Sequence, residues 1–489
     1  MKKTGILMLV ILMLSASLLS CGSCAGRKEP GESTVSGVES ESGTVEEKID
    51  LDGITVSFVT AKFVDDDGFE LFADKNATDA ISEVIYRRNE LIQRDLNVGL
   101  SFLQQDATEM VDNIRSYVLG GESEWDVFNV YAVFSMENIT VGVYQDLMRL
   151  ENLDVSNDWW NQNYVSEVTF RDQLYTIVGD VNTSVVRKTM ATFVNRDIAE
   201  RFGKEEDLLD VVRSGNWTLE YLAEYTKDVY EEKNGDGQPS LGDTFGLLLG
   251  RISQPAEGLL ESCNFDWTSR TDDTITINVN SPGNVNLLGK LRELFDSAEN
   301  GHYAIPTNEI AGVYVYADLF AKGQALMLMG PMFTATSVAK SDAVKSYQIL
   351  PLPKLEKSQA YRSSCQDSYT SLSVSANSDA KEQSAIVLER MGEASRQELT
   401  PAYCNTYYRV SVASDPETME MFDTIKDSLV FSFARVYSLR LKTVAVKMRS
   451  LVYNGDEIAS TLAGYHDMVQ EYLEQLILDL ENLASMQEE

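Results

Sequence analysis

The chain has 489 residues, 44% of them hydrophobic, enough for two or three domains with sizeable cores. Its formal charge of −35, from 76 acidic against 41 basic residues, repels phosphate backbones and anionic headgroups and so excludes nucleic acid as a partner. Two histidines and five cysteines, with no CxxC pair apart from Cys21/Cys24 in the leader, leave little material for a catalytic zinc or a redox centre.

The N-terminus reads as an export signal. Lys2 and Lys3 precede an apolar run from Ile6 to Leu19 that is too short to favour a membrane span. Leu18-Leu19-Ser20-Cys21 resembles the lipobox of bacterial lipoproteins, in which the cysteine is acylated and becomes the first residue. Residues 1–20 are therefore expected to be a lipoprotein signal peptide and Cys21 the lipidation site. From Gly22 to about Lys48 there is almost no large apolar residue, so 21–50 is expected to be a flexible tether. About 27 such residues span on the order of 25–30 Å.

Periodicity begins at Ile54. Ile54 to Ala61 alternates as a strand, Ala80 to Asp95 has a helical period, and Val98 to Leu103 alternates again. A second helix, Met110 to Leu119, stops at Gly120-Gly121 and leads to a buried strand ending at Tyr131. This alternation predicts α/β architecture with a parallel sheet. Further on, helices are expected over Asp197–Phe202 and Thr218–Tyr230, the latter with Thr218 as N-cap. Ile275 to Val279 reads as strand, Gly283 to Ser297 and Ala317 to Ala321 as helix, and Ala325 to Pro331 as a short buried strand. Tyr347 to Pro353 and Ser371 to Ser375 add extended segments, and Met419 to Leu483 is nearly all helical.

Few chemical motifs stand out. Gly283 to Lys290 has a phosphate-loop look, but its glycine spacing is wrong and Leu291 replaces the Ser/Thr, so it reads as a helix start. Glu232, Asn234, Asp236, Gln238 and Asp243 fall at calcium-loop spacing around Gly237. Glu and Asp at the two ends depart from the usual choice, so a structural calcium competes with an Asn-Gly-Asp-Gly turn satisfied by its own side chains. A Cys365–Cys404 disulfide outside the cell competes with free thiols as the stronger reading, because sequence separation says nothing about whether the Cβ atoms meet.

Several segments, in order, resemble the extracellular solute-binding proteins that deliver sugars to ATP-driven (ABC) importers. They are Trp125–Tyr131, Gly142–Leu147, Leu174–Asp180 with Ala191–Asp197, Gly215–Glu220 with Asn234–Gly237, Phe320–Met327 with Gly330-Pro331, Leu350–Pro353, and Tyr369–Ala376. The resemblance implies a two-lobed periplasmic-binding-protein-like fold of type II, with hinge crossings and a helical C-terminal tail. Lobe one would hold 51–177 and 369–410, and lobe two 178–368 and 411–489. It further implies a non-enzymatic receptor, without cofactor, on the outer face of the membrane. This receptor would be a monomer that captures a carbohydrate, an oligosaccharide first, and serves ABC permease subunits. A peptide or cation receptor of the same fold, or a surface glycosidase, are the alternatives.

At positions matching the family's cleft stand Asp65, Asp67, Tyr131, Asp180, Met332, Phe333, Asp367 and Tyr369. Sugars are held by aromatic faces and by planar polar groups at their hydroxyls. Asp180, just past the first crossing, is the leading candidate, with capping of the next turn as its competing role. Met332 stands where sugar binders often carry tryptophan, which puts a stacked ring there in doubt. Trp217, at a helix start, is expected to be core, and of Trp159 and Trp160 at most one can face outward if the pair is extended.

Overall fold

The computed structural model describes residues 49–62, 70–204, 206–250, 253–271, 274–297, 302–305, 315–403 and 416–488. The leader with Cys21, Asp65, Asp67 and Cys404 lie outside the described residues. From residue 49 onward the chain is one compact unit built on two principal sheets.

The first sheet has the order β12-β3-β1-β2, where β1 is Thr55–Lys62, β2 Gly99–Asp106, β3 Val127–Tyr131 and β12 Thr370–Val374. β1 runs parallel to β2 and β3, as the strand-helix alternation requires, and β12 enters antiparallel with Thr370 opposite Tyr131. The connecting helix Ala80–Leu96 buries Ile81, Ile85, Ile92 and Leu96, one face of a 3.6-residue period. Asp79 caps its start by accepting from the Ser82 amide at 2.8 Å, and Asn97 ends it in the left-handed conformation at φ 51°.

The second sheet has the order β11-β4-β10-β6-β5, with β9 also beside β6. Here β4 is Met190–Asn195, β5 Tyr230–Glu231, β6 Thr244–Gly250, β9 His302–Ile305, β10 Ala325–Pro331 and β11 Tyr347–Leu350. A small hairpin, β7 Thr268–Arg270 and β8 Ile275–Ile277, stands apart. β4, β6 and β10 are buried along their whole length, so their apolar runs do not alternate. Gly246 is required in β6 because a Cβ there would collide with the Thr226 carbonyl.

Most expected elements are present, and the departures have local causes. Thr218 caps its helix by accepting from the Tyr221 amide at 3.2 Å, but the helix stops at Thr226 because Tyr230 is drawn into pairing with β6. The phosphate-loop look resolves as the helix Pro282–Phe295 capped by Ser281. β6 and the helices Ser253–Ser262 and Lys381–Ala394 have no counterpart among the expected elements. A continuous buried run such as Leu247-Leu248-Leu249 has no period to read.

Two crossings join the sheets and lie side by side. Ile177 and Leu372 exchange both backbone hydrogen bonds at 2.8 Å; farther along, the Met190 amide donates to the Ser364 carbonyl and the Gln366 amide to the Lys188 carbonyl, both at 2.9 Å. The C-terminal helices Pro416–Asp427, Phe433–Val436, Val444–Tyr453 and Ile458–Glu488 follow. The first packs on β11, and the second reaches helices Ala132–Ser135 and Gln162–Val168 beside the first sheet. Among the described residues, no helix is long and apolar enough to cross a membrane.

Candidate ligand site at the lobe crossings

The C-terminal edge of β3 is where the two lobes meet, and its last residue, Tyr131, is the first in that strand to be half-exposed. Lys188 ends the short helix Thr183–Lys188, which carries the first crossing into β4, and places its ammonium 4.9 Å from the Tyr131 ring centroid. The same ammonium donates to the Ser368 carbonyl at 2.7 Å and to its hydroxyl at 3.1 Å. Phe134 stacks beside Tyr131 with centroids 6.0 Å apart. One strand end and both crossings thus converge on an aromatic pair and an ammonium.

The crossing is pinned underneath by a buried polar network. Asn182 donates to Asn129 at 3.2 Å and to Thr370 at 3.1 Å. Glu70, 2% exposed, accepts from Asn129 at 2.7 Å, from the Ser184 amide at 2.9 Å and from the Thr370 hydroxyl. A buried carboxylate with three donors is satisfied, so this network orders the crossing.

Asp367 and Tyr369 lie beside this junction. Asp367 accepts from Arg435 at 2.6 Å. Tyr369 is buried against Tyr164 and Phe431, at 6.4 and 5.1 Å between centroids, and burial pushes its hydroxyl well above the usual tyrosine value. With Val133, Cys365 and the tail segment around Phe431 they line a cavity of only about 10 Å³, room for one water. Met332 and Phe333 are nearly buried, and their amides donate to Thr189 and Arg187 at 2.9 Å. Met332 is part of the second lobe's core.

Asp180 stands elsewhere. It lines a separate cavity of about 210 Å³, whose lining shares no residue with the first. Its carboxylate accepts from the Thr400 hydroxyl at 2.7 Å and lies 3.4 Å from Arg396. Burial pushes its pKa up, and Thr400 and Arg396 offset this in part. The eight candidate positions therefore divide. Tyr131, Asp367 and Tyr369 come together, Met332 and Phe333 are held by their amides on the first crossing with Met332 in the core, Asp180 is apart, and Asp65 and Asp67 are not described.

The tryptophans are accounted for by packing. Trp217 is fully buried and donates to the Pro351 carbonyl at 2.8 Å. Trp159 and Trp160 both donate to Glu389, at 2.8 and 3.4 Å, with Trp160 buried and Trp159 half-exposed.

In the calcium-spaced loop, Asp243 accepts from the Lys233 and Ser240 amides at 2.9 Å and Glu232 from the Gly237 amide at 2.9 Å. Asn234 accepts from the Asp236 amide at 3.0 Å, and Asp236 from the Gln238 amide at 2.8 Å. The carboxylates are thus engaged by the turn itself. Among the described residues there is no group of three or more His, Cys, Asp or Glu side chains placed to hold a metal. Of the two alternatives for Cys365, the disulfide with Cys404 is not formed: Cys365 is a buried free thiol that donates to the Val185 carbonyl at 3.2 Å, its pKa pushed up to about 12 by burial.

Lys188 and Arg435 are the residues that sequence reading passed over. Arg435 had a signal, as the one cation within the apolar run Phe431 to Tyr437. A charge so placed is buried and must be paired.

No family model matches this sequence, and no curated protein is similar to it in sequence. Solved structures are similar in fold. The GacH receptor of Streptomyces glaucescens, described unliganded and with acarbose, superposes at a TM-score of 0.56 and 15% identity, covering 86% of this chain and 99% of its own. The cyclic α-maltosyl-1,6-maltose binding protein of Arthrobacter globiformis gives 0.58 and 12%, covering 86% and 99%. An ABC substrate-binding protein of Listeria monocytogenes in complex with cycloalternan gives 0.55 and 15%, covering 86% and 100%. Two α/β lobes joined by paired crossings, a helical C-terminal region and these neighbours establish that the chain has the two-lobed fold of the periplasmic sugar-binding proteins.

Proposed function

We propose that this chain is a non-enzymatic receptor that captures a carbohydrate between its lobes and presents it to an ABC permease, held outside the membrane by lipidated Cys21. The observation that carries this reading is the Tyr131–Phe134 pair at the end of β3, flanked by the Lys188 ammonium and the Ser368 hydroxyl where both crossings pass. An aromatic face takes the C–H surface of a sugar, and the polar groups take its hydroxyls. Asp367 and the buried faces of Met332, Phe333 and Tyr369 would complete the walls. The room between Asp367 and Phe431 is too small for a sugar, so binding requires the lobes to part and reclose on the ligand.

Thermal-shift and calorimetric titration with maltose, maltotriose and neutral monosaccharides test the reading. A ligand at 100 times its Kd should stabilise the protein by about 2.7 kcal/mol. Tyr131→Ala should weaken binding about tenfold or more. Absence of any sugar response in the wild-type protein would sink the carbohydrate assignment, and release of product would replace it with a glycosidase. Cys21→Ala should move the protein from the membrane fraction to the medium.

A further inference from the structure

We propose that the cavity beside the first crossing is a second ligand site, separate from the sugar site, and that it takes a small α-amino acid. At about 210 Å³ it is smaller than the usual range for drug-sized ligands and excludes an oligosaccharide. Its two walls come from different lobes, and each presents a cation with donors to spare. On the first lobe Arg396 lies 3.4 Å from both Asp158 and Asp180, at the outer limit of hydrogen bonding. Facing it, Lys426 ends the helix Pro416–Asp427 that packs on β11, and its nearest carboxylate, Asp427, is 3.7 Å away, too far for a hydrogen bond. A carboxylate entering between them is claimed by both cations through charge-assisted hydrogen bonds.

The rest of the lining calls for an ammonium group on the same ligand. Three carboxylates, Asp158, Asp180 and Asp427, stand against the two cations, so a plain carboxylate leaves the acidic side uncompensated while a zwitterion answers both. Thr183 supplies an independent mark of an absent partner. It is 4% exposed, lines the cavity, and its hydroxyl has no hydrogen-bond partner among the described residues. A buried hydroxyl left unpaired is costly, and a ligand amine or carboxylate would satisfy it. Val185 and Leu429 offer apolar surface for a small side chain.

The test is titration of the purified protein with glycine, L-alanine, L-serine and L-lysine, with acetate and ethanolamine as single-charge controls and a sugar arm in parallel. At least one amino acid should raise the melting temperature and bind more tightly than either control. Arg396→Ala and Lys426→Ala should each weaken it about tenfold to a hundredfold, while the response to sugars is unchanged. Thr183→Val should weaken it by a smaller factor. Lys426 is on the surface, so its removal leaves folding intact even if Arg396→Ala does not. No response to any amino acid in the wild-type protein, acetate binding as tightly as the amino acids, or full affinity in Lys426→Ala would each overturn the proposal.

Discussion

Arg435 donates to Asp367 at 2.6 Å, and through this bond the C-terminal tail is tied to the second crossing. The same guanidinium lies 3.6 Å from Glu261 and 3.9 Å from Glu257 on the helix Ser253–Ser262, and donates to the Cys365 carbonyl at 3.0 Å. Arg449 adds a 2.6 Å bond to Glu257. Burial alone would lower the pKa of Arg435, but Asp367, Glu261 and Glu257 outweigh it and raise the value. Burial and the neighbouring Asp367 in turn push Glu257 well above the usual carboxylate range.

Arg435→Met should therefore destabilise the protein by about 3–5 kcal/mol, since it leaves Asp367 without its 2.6 Å donor and takes a cation away from the buried Glu261 and Glu257. Denaturant unfolding at pH 7 measures it. The double variant with Glu261→Gln should recover part of the loss, and a single-variant cost below about 1 kcal/mol would show that the pair is not what holds the tail to the crossing.

Trp217→Phe should cost about 1–3 kcal/mol, because the Pro351 carbonyl loses its buried donor while the aromatic packing is largely kept. Its readout is the shift in unfolding midpoint at constant slope. A neutral result would mean that water reaches Pro351.

Asp180 gives a pH dependence of defined sign. Burial raises its folded-state pKa above the ordinary carboxylate value of 3.8, so the folded chain binds more protons than the unfolded one. Its contribution is most favourable below 3.8 and is lost as pH rises through the raised value. Asp180→Asn should remove that loss, so the variant gains stability relative to wild type between pH 4 and pH 7. Urea titrations at pH 4, 5, 6 and 7 would show a widening difference, and a constant or narrowing one would refute the assignment.

Chelation should leave stability unchanged. The oxygens of Glu232, Asn234, Asp236 and Asp243 already accept backbone N–H groups, so the turn closes by itself. A melting temperature raised by calcium and restored to baseline by EDTA would instead establish a metal at this loop.

What the sequence determined by itself is what depends on neighbours along the chain. The alternation in β1 and β2, the helical period between them, the Thr218 cap and the Asn234–Gly237 turn were all legible, because periodicity, capping and turn chemistry act over a few residues. The segments Gly215–Glu220 and Leu350–Pro353 were visible as marks of a family, but not that they touch. Tertiary structure alone decided that Trp217 bonds Pro351, that Lys188 covers Tyr131, and that Arg435 serves Asp367 from 68 residues away. It also separated Asp180 from the positions it was grouped with. Each of these rests on which distant segments meet and at what register, and burial then fixes which charges must pair, a condition no local pattern contains.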